Sequence, residues 1–227
     1  MLTFAESQAL LLSLRVSGVG VAGALPLAFA AALLLSRHFP GRAIAEALLH
    51  LPLALPPVVV GYLLLVLLGP REAAGAWLIA HLGIRFAFSW SGAALASGLI
   101  TFPLQYRAIR LSLQAQERGL AEAAATLGAG AWDRLLNLTL PLALPGIVAG
   151  AVTAFAASLG EFGAIITFVS NIPGETRTLP LAIYTALQEP AQEAEAARLA
   201  AISIALALAG IMLAAIAERH LRAAIES

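Results

Sequence analysis

The chain has 227 residues, 60% hydrophobic and 11% charged, where a water-soluble domain carries about 25% charged residues, so lipid must cover most of its surface. Its net charge of zero excludes a nucleic-acid partner held by bulk charge, and without cysteine it forms neither a disulfide nor a thiolate site. All 13 basic residues are arginine; lacking lysine, the chain has no phosphate-binding loop of the ATPase type and no Schiff-base chemistry, so any ATP that drives it is bound by another chain.

The start, Met1-Leu2-Thr3-Phe4-Ala5-Glu6, lacks a basic region and a small-residue cleavage site, so the first apolar helix is expected to stay in the mature protein. Five segments are long and apolar enough to span a bilayer: residues 9–35, 48–68, 92–113, 138–161 and 199–217. Backbone groups in lipid must be satisfied within their own segment, so each is expected to be a helix. The fold class is therefore all-α, a polytopic membrane protein of about five spans. Residues 1–8 form a short lead, 9–217 the transmembrane domain, and 218–227 a cytoplasmic tail. Gly146 and Gly150 are spaced for close helix contact.

Arginine placement gives the orientation. Arg37, Arg42, Arg107, Arg110, Arg118, Arg134, Arg219 and Arg222 fall on one side; Arg15, Arg71, Arg85, Arg177 and Arg198 fall on the other. The larger set is expected in the cytoplasm, with the N-terminus outside. The outer connections hold short apolar stretches at 77–82 and 179–187, each expected to be a small helix or interfacial segment. The hexapeptide Leu-Pro-Leu-Ala-Leu-Pro occurs at 51–56 and again at 140–145. Both copies are read as helix-entry elements, since proline is tolerated in a first turn. His38, His50, His81 and His220 are scattered without metal-ligand spacing and are read as interfacial polar residues.

Between the third and fourth segments the chain reads Glu122-Ala123-Ala124-Ala125-Thr126-Leu127-Gly128, then nine residues, then Leu138-Thr139-Leu140-Pro141. Residues 120–127 favour helix, Gly128 and Gly130 permit a sharp turn, and 132–137 can form a second short helix. The expected product is a helical elbow protruding from the membrane. This stretch closely resembles the Glu-Ala-Ala loop of type I ABC importer permeases, in which that loop docks into a groove on the ATPase subunit. The resemblance implies an ABC importer transmembrane domain, with Glu122, Ala123, Ala124, Gly128, Leu138, Leu140 and Pro141 as the coupling residues.

Three further stretches resemble molybdate permeases: Leu55-Pro56-Pro57-Val58-Val59-Val60-Gly61-Tyr62, Leu159-Gly160-Glu161-Phe162-Gly163-Ala164, and residues 171–184 from Asn171-Ile172-Pro173-Gly174 to Ile183-Tyr184. Sulfate permeases share the Gly-Glu-Phe-Gly element, so sulfate and tungstate stay open beside molybdate. The resemblance implies two copies of an ABC ATPase, a periplasmic or extracellular oxyanion-binding protein, and a place in the bacterial inner membrane. A second copy of the chain is expected too, because five helices are too few to enclose a gated pathway and closed two-fold contact is the commonest solution. No cofactor, metal or catalytic residue is expected. Glu161, with Gly160 and Gly163 beside it, is read as a pathway or gate element held by Arg177 or by backbone donors, and not as an anion ligand. A stand-alone secondary transporter would leave the elbow unexplained. An intramembrane enzyme would need paired carboxylates or a nucleophile–base pair that the sequence lacks.

Overall fold

The computed structural model describes residues 2–36, 39–115, 118–190 and 192–226. Arg37 and His38 lie outside these, as do the side chains of Arg118, Arg219, His220 and Arg222. Among the described residues every regular element is helical.

The first helix, α1 (Phe4–Leu34), starts in a capping box. Thr3 Oγ1 accepts the Glu6 N–H at 3.2 Å, and the Thr3 N–H donates to Glu6 Oε2 at 2.6 Å, so two otherwise orphaned donors are satisfied. Its buried stripe is made of small residues, among them Ala9, Ser13, Ser17, Gly20, Ala24, Ala28 and Ala32. Its large residues Leu11, Leu27 and Leu34 face outward. Small in and large out is the arrangement expected where lipid, not water, meets the outer surface.

The second expected segment is not one helix. Residues 48–68 divide between α2 (Arg42–Ala54) and α3 (Pro57–Leu68), which are bent by 108°. The break is at Leu55-Pro56-Pro57. A proline drives the residue before it out of the helical region, and both Leu55 and Pro56 are extended, with ψ of 147° and 133°. A short helix, α4 (Ala73–Leu82), then leads to α5 (Trp90–Gln114), the centre of the bundle. Ser89 caps α5, its hydroxyl oxygen accepting the Gly92 N–H at 3.2 Å.

After the elbow, helix runs without interruption from Ala131 to Leu159. It comprises α7 (Ala131–Arg134), a π-helical turn (Leu135–Thr139) and α8 (Leu140–Leu159). Pro141 thus lies in the first turn of α8, as expected for a helix-entry element, but helix already precedes it. Its missing N–H is absorbed where the wide turn passes into α8. Short helices α9 (Gly163–Val169) and α10 (Leu179–Gln188) follow, and α11 (Glu193–Glu226) closes the chain. The two hexapeptide copies thus adopt different structures. Pro52 sits inside α2 and Pro56 at the bend, whereas Pro141 lies in the first turn of α8 and Pro145 within it.

By length and composition, three helices among the described residues can cross a membrane: α1, Ala131–Leu159 and Glu193–Leu213 of α11. The bent pair α2–α3 makes a fourth. The count of about five is not reached, because α5 is less apolar. It carries Gln105, Arg107 and Arg110. Much of α5 is buried against other helices, including Ser97, Thr101, Gln105, Tyr106 and Ile109, so protein and not lipid sets its composition.

Two glycine contacts bring α5 against its neighbours. A Cβ on Gly98 would lie 2.7 Å from the Gly20 carbonyl oxygen of α1, and a Cβ on Gly146 of α8 would lie 2.7 Å from the Ala108 oxygen. Both obstacles are backbone, so no side-chain rotation relieves them. Gly98→Ala is expected to destabilise the chain by about 1–3 kcal/mol through overpacking. Gly23→Ala, on α1 with open space around it, should be neutral or stabilising by up to about 1 kcal/mol. Thermal unfolding in detergent compares the two; equal midpoints would show that the α1–α5 approach does not need glycine.

Candidate functional site

The elbow begins with α6 (Arg118–Thr126), which carries Glu122, Ala123 and Ala124. Its end is a Schellman cap. The Ala129 N–H donates to the Ala124 carbonyl and the Gly128 N–H to the Ala125 carbonyl, each at 3.0 Å. This cap needs a left-handed residue, and Gly128 has φ +88°. Gly130, by contrast, is extended at φ −66° and simply precedes α7. Thr126 Oγ1 also donates to the Ala123 carbonyl at 2.7 Å, closing the last turn.

The elbow presents a mixed surface. Glu122 and Ala123 are exposed, and Ala124 is half-buried. Leu127 is 88% and Trp132 75% exposed, and Leu136 is exposed as well. Large apolar groups held out at a turn are rarely left uncovered in a stable protein. Leu138, Leu140 and Pro141 are half-buried along the continuous helix. The Ser112 hydroxyl near the end of α5 donates to the Leu142 carbonyl at 3.2 Å. The elbow is therefore joined rigidly to α8 and, one turn further on, to α5.

Glu161 lies elsewhere, between α8 and α9, and is buried. Its Oε1 accepts the Ala164 N–H at 2.9 Å, so the carboxylate caps the start of α9. Of the two partners expected for it, the backbone donors are the ones it meets. Arg177 instead donates to Asn171 Oδ1 at 2.9 Å. Gly163 packs on the first turn of α3, where a Cβ would come within 2.9 Å of Pro57 Cβ. Gly160 ends α8. The elbow residues and the Glu161 group are thus two separate places in the fold.

Two charged groups escaped the sequence reading. Glu6 is buried, and Arg198 of α11 reaches its Oε1 at 2.9 Å. The Thr3-x-x-Glu6 spacing announces the cap, but not the arginine nearly the whole chain away. Glu46 of α2 receives Arg42 at 2.7 Å and Arg110 of α5 at 2.9 Å. The first of these is a legible i,i+4 pair, whereas the second exists only in the fold. Among the described residues no group of three or more His, Cys, Asp or Glu is placed to hold a metal ion.

The family of binding-protein-dependent transport system inner membrane components matches residues 24–224. A molybdenum transport system permease protein, ModB, of Escherichia coli K12 is 57% identical over 213 residues, which is 93% of each chain. Its namesake in Haemophilus influenzae is 51% identical over 92% of this chain and 91% of that one. The sulfate transport system permease protein CysT of Escherichia coli is 38% identical over 76% of this chain and 64% of that one. In fold, the chain is similar to a bacterial alginate ABC transporter, with TM-score 0.76 and 18% identity over 96% of this chain and 80% of that one. An amino acid ABC transporter has TM-score 0.65 and 19% identity over 95% and 94% of the two chains. The chain belongs to the family of inner-membrane components of binding-protein-dependent transport systems.

Proposed function

We propose that this chain is the non-catalytic permease subunit of an ATP-driven molybdate importer. The observation that carries the coupling role is continuity: an exposed elbow, capped at Gly128, runs through unbroken helix from Ala131 into an apolar helix of spanning length. Backbone hydrogen bonds tie each turn of this helix to the next, so displacement of α7 moves α8 with it. The glycine contact at Gly146 then passes the displacement to α5. Leu127, Trp132 and Leu136 offer apolar contacts to an ATPase subunit, Ala123 and Ala124 allow close approach, and Glu122 offers a charge. Leu138, Leu140 and Pro141 form the root of the lever.

Molybdate as cargo is supported by the two relatives named for molybdenum transport, at 57% and 51% identity. The sulfate relative is more distant. The working unit is a homodimer with two ATPase subunits, fed by an external oxyanion-binding protein, in the bacterial inner membrane. Five crossings per chain follow if α5 spans inside a sheath of other helices; its 25 residues are about 37 Å long, more than the hydrocarbon core. Glu161 fixes the start of α9 where it leaves α8 and acts on the pathway by positioning, not by contact with the anion.

Gly128→Val is expected to leave membrane insertion intact and to abolish anion uptake in vesicles reconstituted with the ATPase. A β-branched residue at φ +88° carries a backbone penalty of roughly 1–2 kcal/mol, and the cap that shapes the elbow depends on that conformation. Glu122→Ala should reduce uptake only mildly, since an exposed ion pair contributes about 0–1 kcal/mol. Normal uptake and normal transport-coupled hydrolysis in Gly128→Val would remove the elbow from the mechanism.

Topology is read by thiol labelling, because the chain has no cysteine of its own. A cysteine at exposed Ala5 should react with an impermeant reagent in intact cells, and one at Leu127 should react only in inverted vesicles. The opposite pattern would reverse the orientation. Native mass measurement of the purified complex should give two permease chains with two ATPase chains; a single permease copy would rule out the homodimer.

A further inference from the structure

Helix α2 is built the wrong way round for water. Arg42, Glu46 and His50 recur at every fourth position and so share one face, and that face is turned into the protein. Arg110 of α5 reaches Glu46 Oε1 at 2.9 Å from across the helix pair. The His50 ring meets Tyr106 of α5 edge to face, with centroids 5.6 Å apart. Ala45 and Leu49 pack beside them on the buried cluster that contains Tyr106 and Ile109. The outward residues Ala43, Ile44, Ala47, Leu48, Leu51 and Leu53 are all exposed and all apolar. Ile44 is 68% and Leu48 62% exposed. A helix beside water has the opposite polarity, with its charges outward and its apolar stripe inward.

Depth follows from the company α2 keeps. The cluster it packs on contains Ala28 and Ala32 of α1 and draws in Ile147 of α8, residues inside two helices of membrane-spanning character. At 13 residues α2 is about 20 Å long, too short to cross the hydrocarbon core. Its 108° bend from α3 prevents the two from crossing as one straight rod.

We propose that α2 is a lipid-facing helix of the leaflet nearest the elbow, covered by acyl chains on the face of Ile44, Leu48 and Leu51 and pinned to α5 by Glu46. Acyl chains fit this face better than a second copy of the chain does. Helix seams in lipid are made where small residues admit a neighbouring backbone, as at Gly20 with Gly98 and at Gly146 with Ala108. The outward face of α2 has no glycine, and its alanines Ala43 and Ala47 are flanked by the large exposed side chains of Ile44, Leu48 and Leu51. The charges turned inward keep Arg42 and Glu46 out of hydrocarbon, where an unpaired charge is costly. The inference stands on packing alone and does not depend on the cargo or on the coupling role of the elbow.

The test uses single cysteines at Ile44, Leu48 and Leu51, spin-labelled in the permease–ATPase complex reconstituted in liposomes. Collision rates with dissolved oxygen, which partitions into lipid, should exceed those with a water-soluble nickel chelate at all three positions. Dominant nickel collisions would place the face in water. Shielding from both probes would mean that a second copy or the ATPase covers it. Either result overturns the proposal. The pin is tested with a label at Ala45. Glu46→Gln should abolish the immobilised component of its spectrum, and Glu46→Asp should retain it. An unchanged spectrum in Glu46→Gln would show that Glu46 does not hold α2.

Discussion

Where α5 crosses α1, the backbone of Gly98 comes so close to that of Gly20 that not even a methyl group fits between them. A similar approach joins α5 to α8 at Gly146. In lipid there is no hydrophobic force to press helices together, so contact area and backbone proximity must do it. The rest of the fold is arranged around these two contacts. They allow α1 and α8 to enclose a helix that lipid alone would not tolerate, one with Gln105, Arg107 and Arg110 along its length. Once close, the backbones let small polar groups meet. The Ser97 and Ser158 hydroxyls hydrogen-bond across α5 and α8, and Thr101 returns its hydroxyl to the Ser97 carbonyl at 2.9 Å.

The same closeness gives the elbow its reach. A loop that moves independently of the membrane helices could not act on a pathway. Here the left-handed Gly128 turns the chain sharply at one residue, after which the backbone is helical for 29 residues. The π turn at 135–139 sits where Pro141 would otherwise collide with the preceding turn. The helix thus stays continuous through a proline that would normally end it. Stiffness on one side of Gly128 and exposed apolar groups around it are the two properties on which the proposed docking role of the elbow rests.

Charge inside the bundle is handled locally. Glu6, Glu46 and Glu161 all lie at or near apolar helices, and each is matched by a different device. Glu6 is capped by Thr3 and paired with Arg198. Glu46 receives two arginines. Glu161 accepts the Ala164 N–H at the start of α9. An unmatched carboxylate in such surroundings is strongly disfavoured. These groups therefore also mark joints: α1 to α11, α2 to α5, and α8 to α9.

What the sequence determined by itself was whatever rests on composition and local spacing. Apolar length made the chain helical and membrane-bound, because lipid leaves the backbone no other way to satisfy its hydrogen bonds. The Glu-Ala-Ala to Leu-Pro spacing located the elbow, and the need for a left-handed residue at its turn pointed to Gly128. The capping box at Thr3 and the Arg42–Glu46 pair are local in the same sense, although they were not singled out from the sequence. Tertiary structure decided the remainder. Residues 48–68 look like one span by hydropathy, yet two adjoining prolines break them, and the inward pull of Arg110 and Tyr106 sets how α2 lies. The hexapeptide at 51–56 bends where its twin at 140–145 stays helical, since Pro57 follows one copy and Gly146 the other. Apolarity undervalues α5, because a helix wrapped in other helices answers to their side chains and not to lipid. Arg198 meets Glu6 across almost the whole length of the chain, a pairing that no local window holds, since only the closed bundle brings the two ends together.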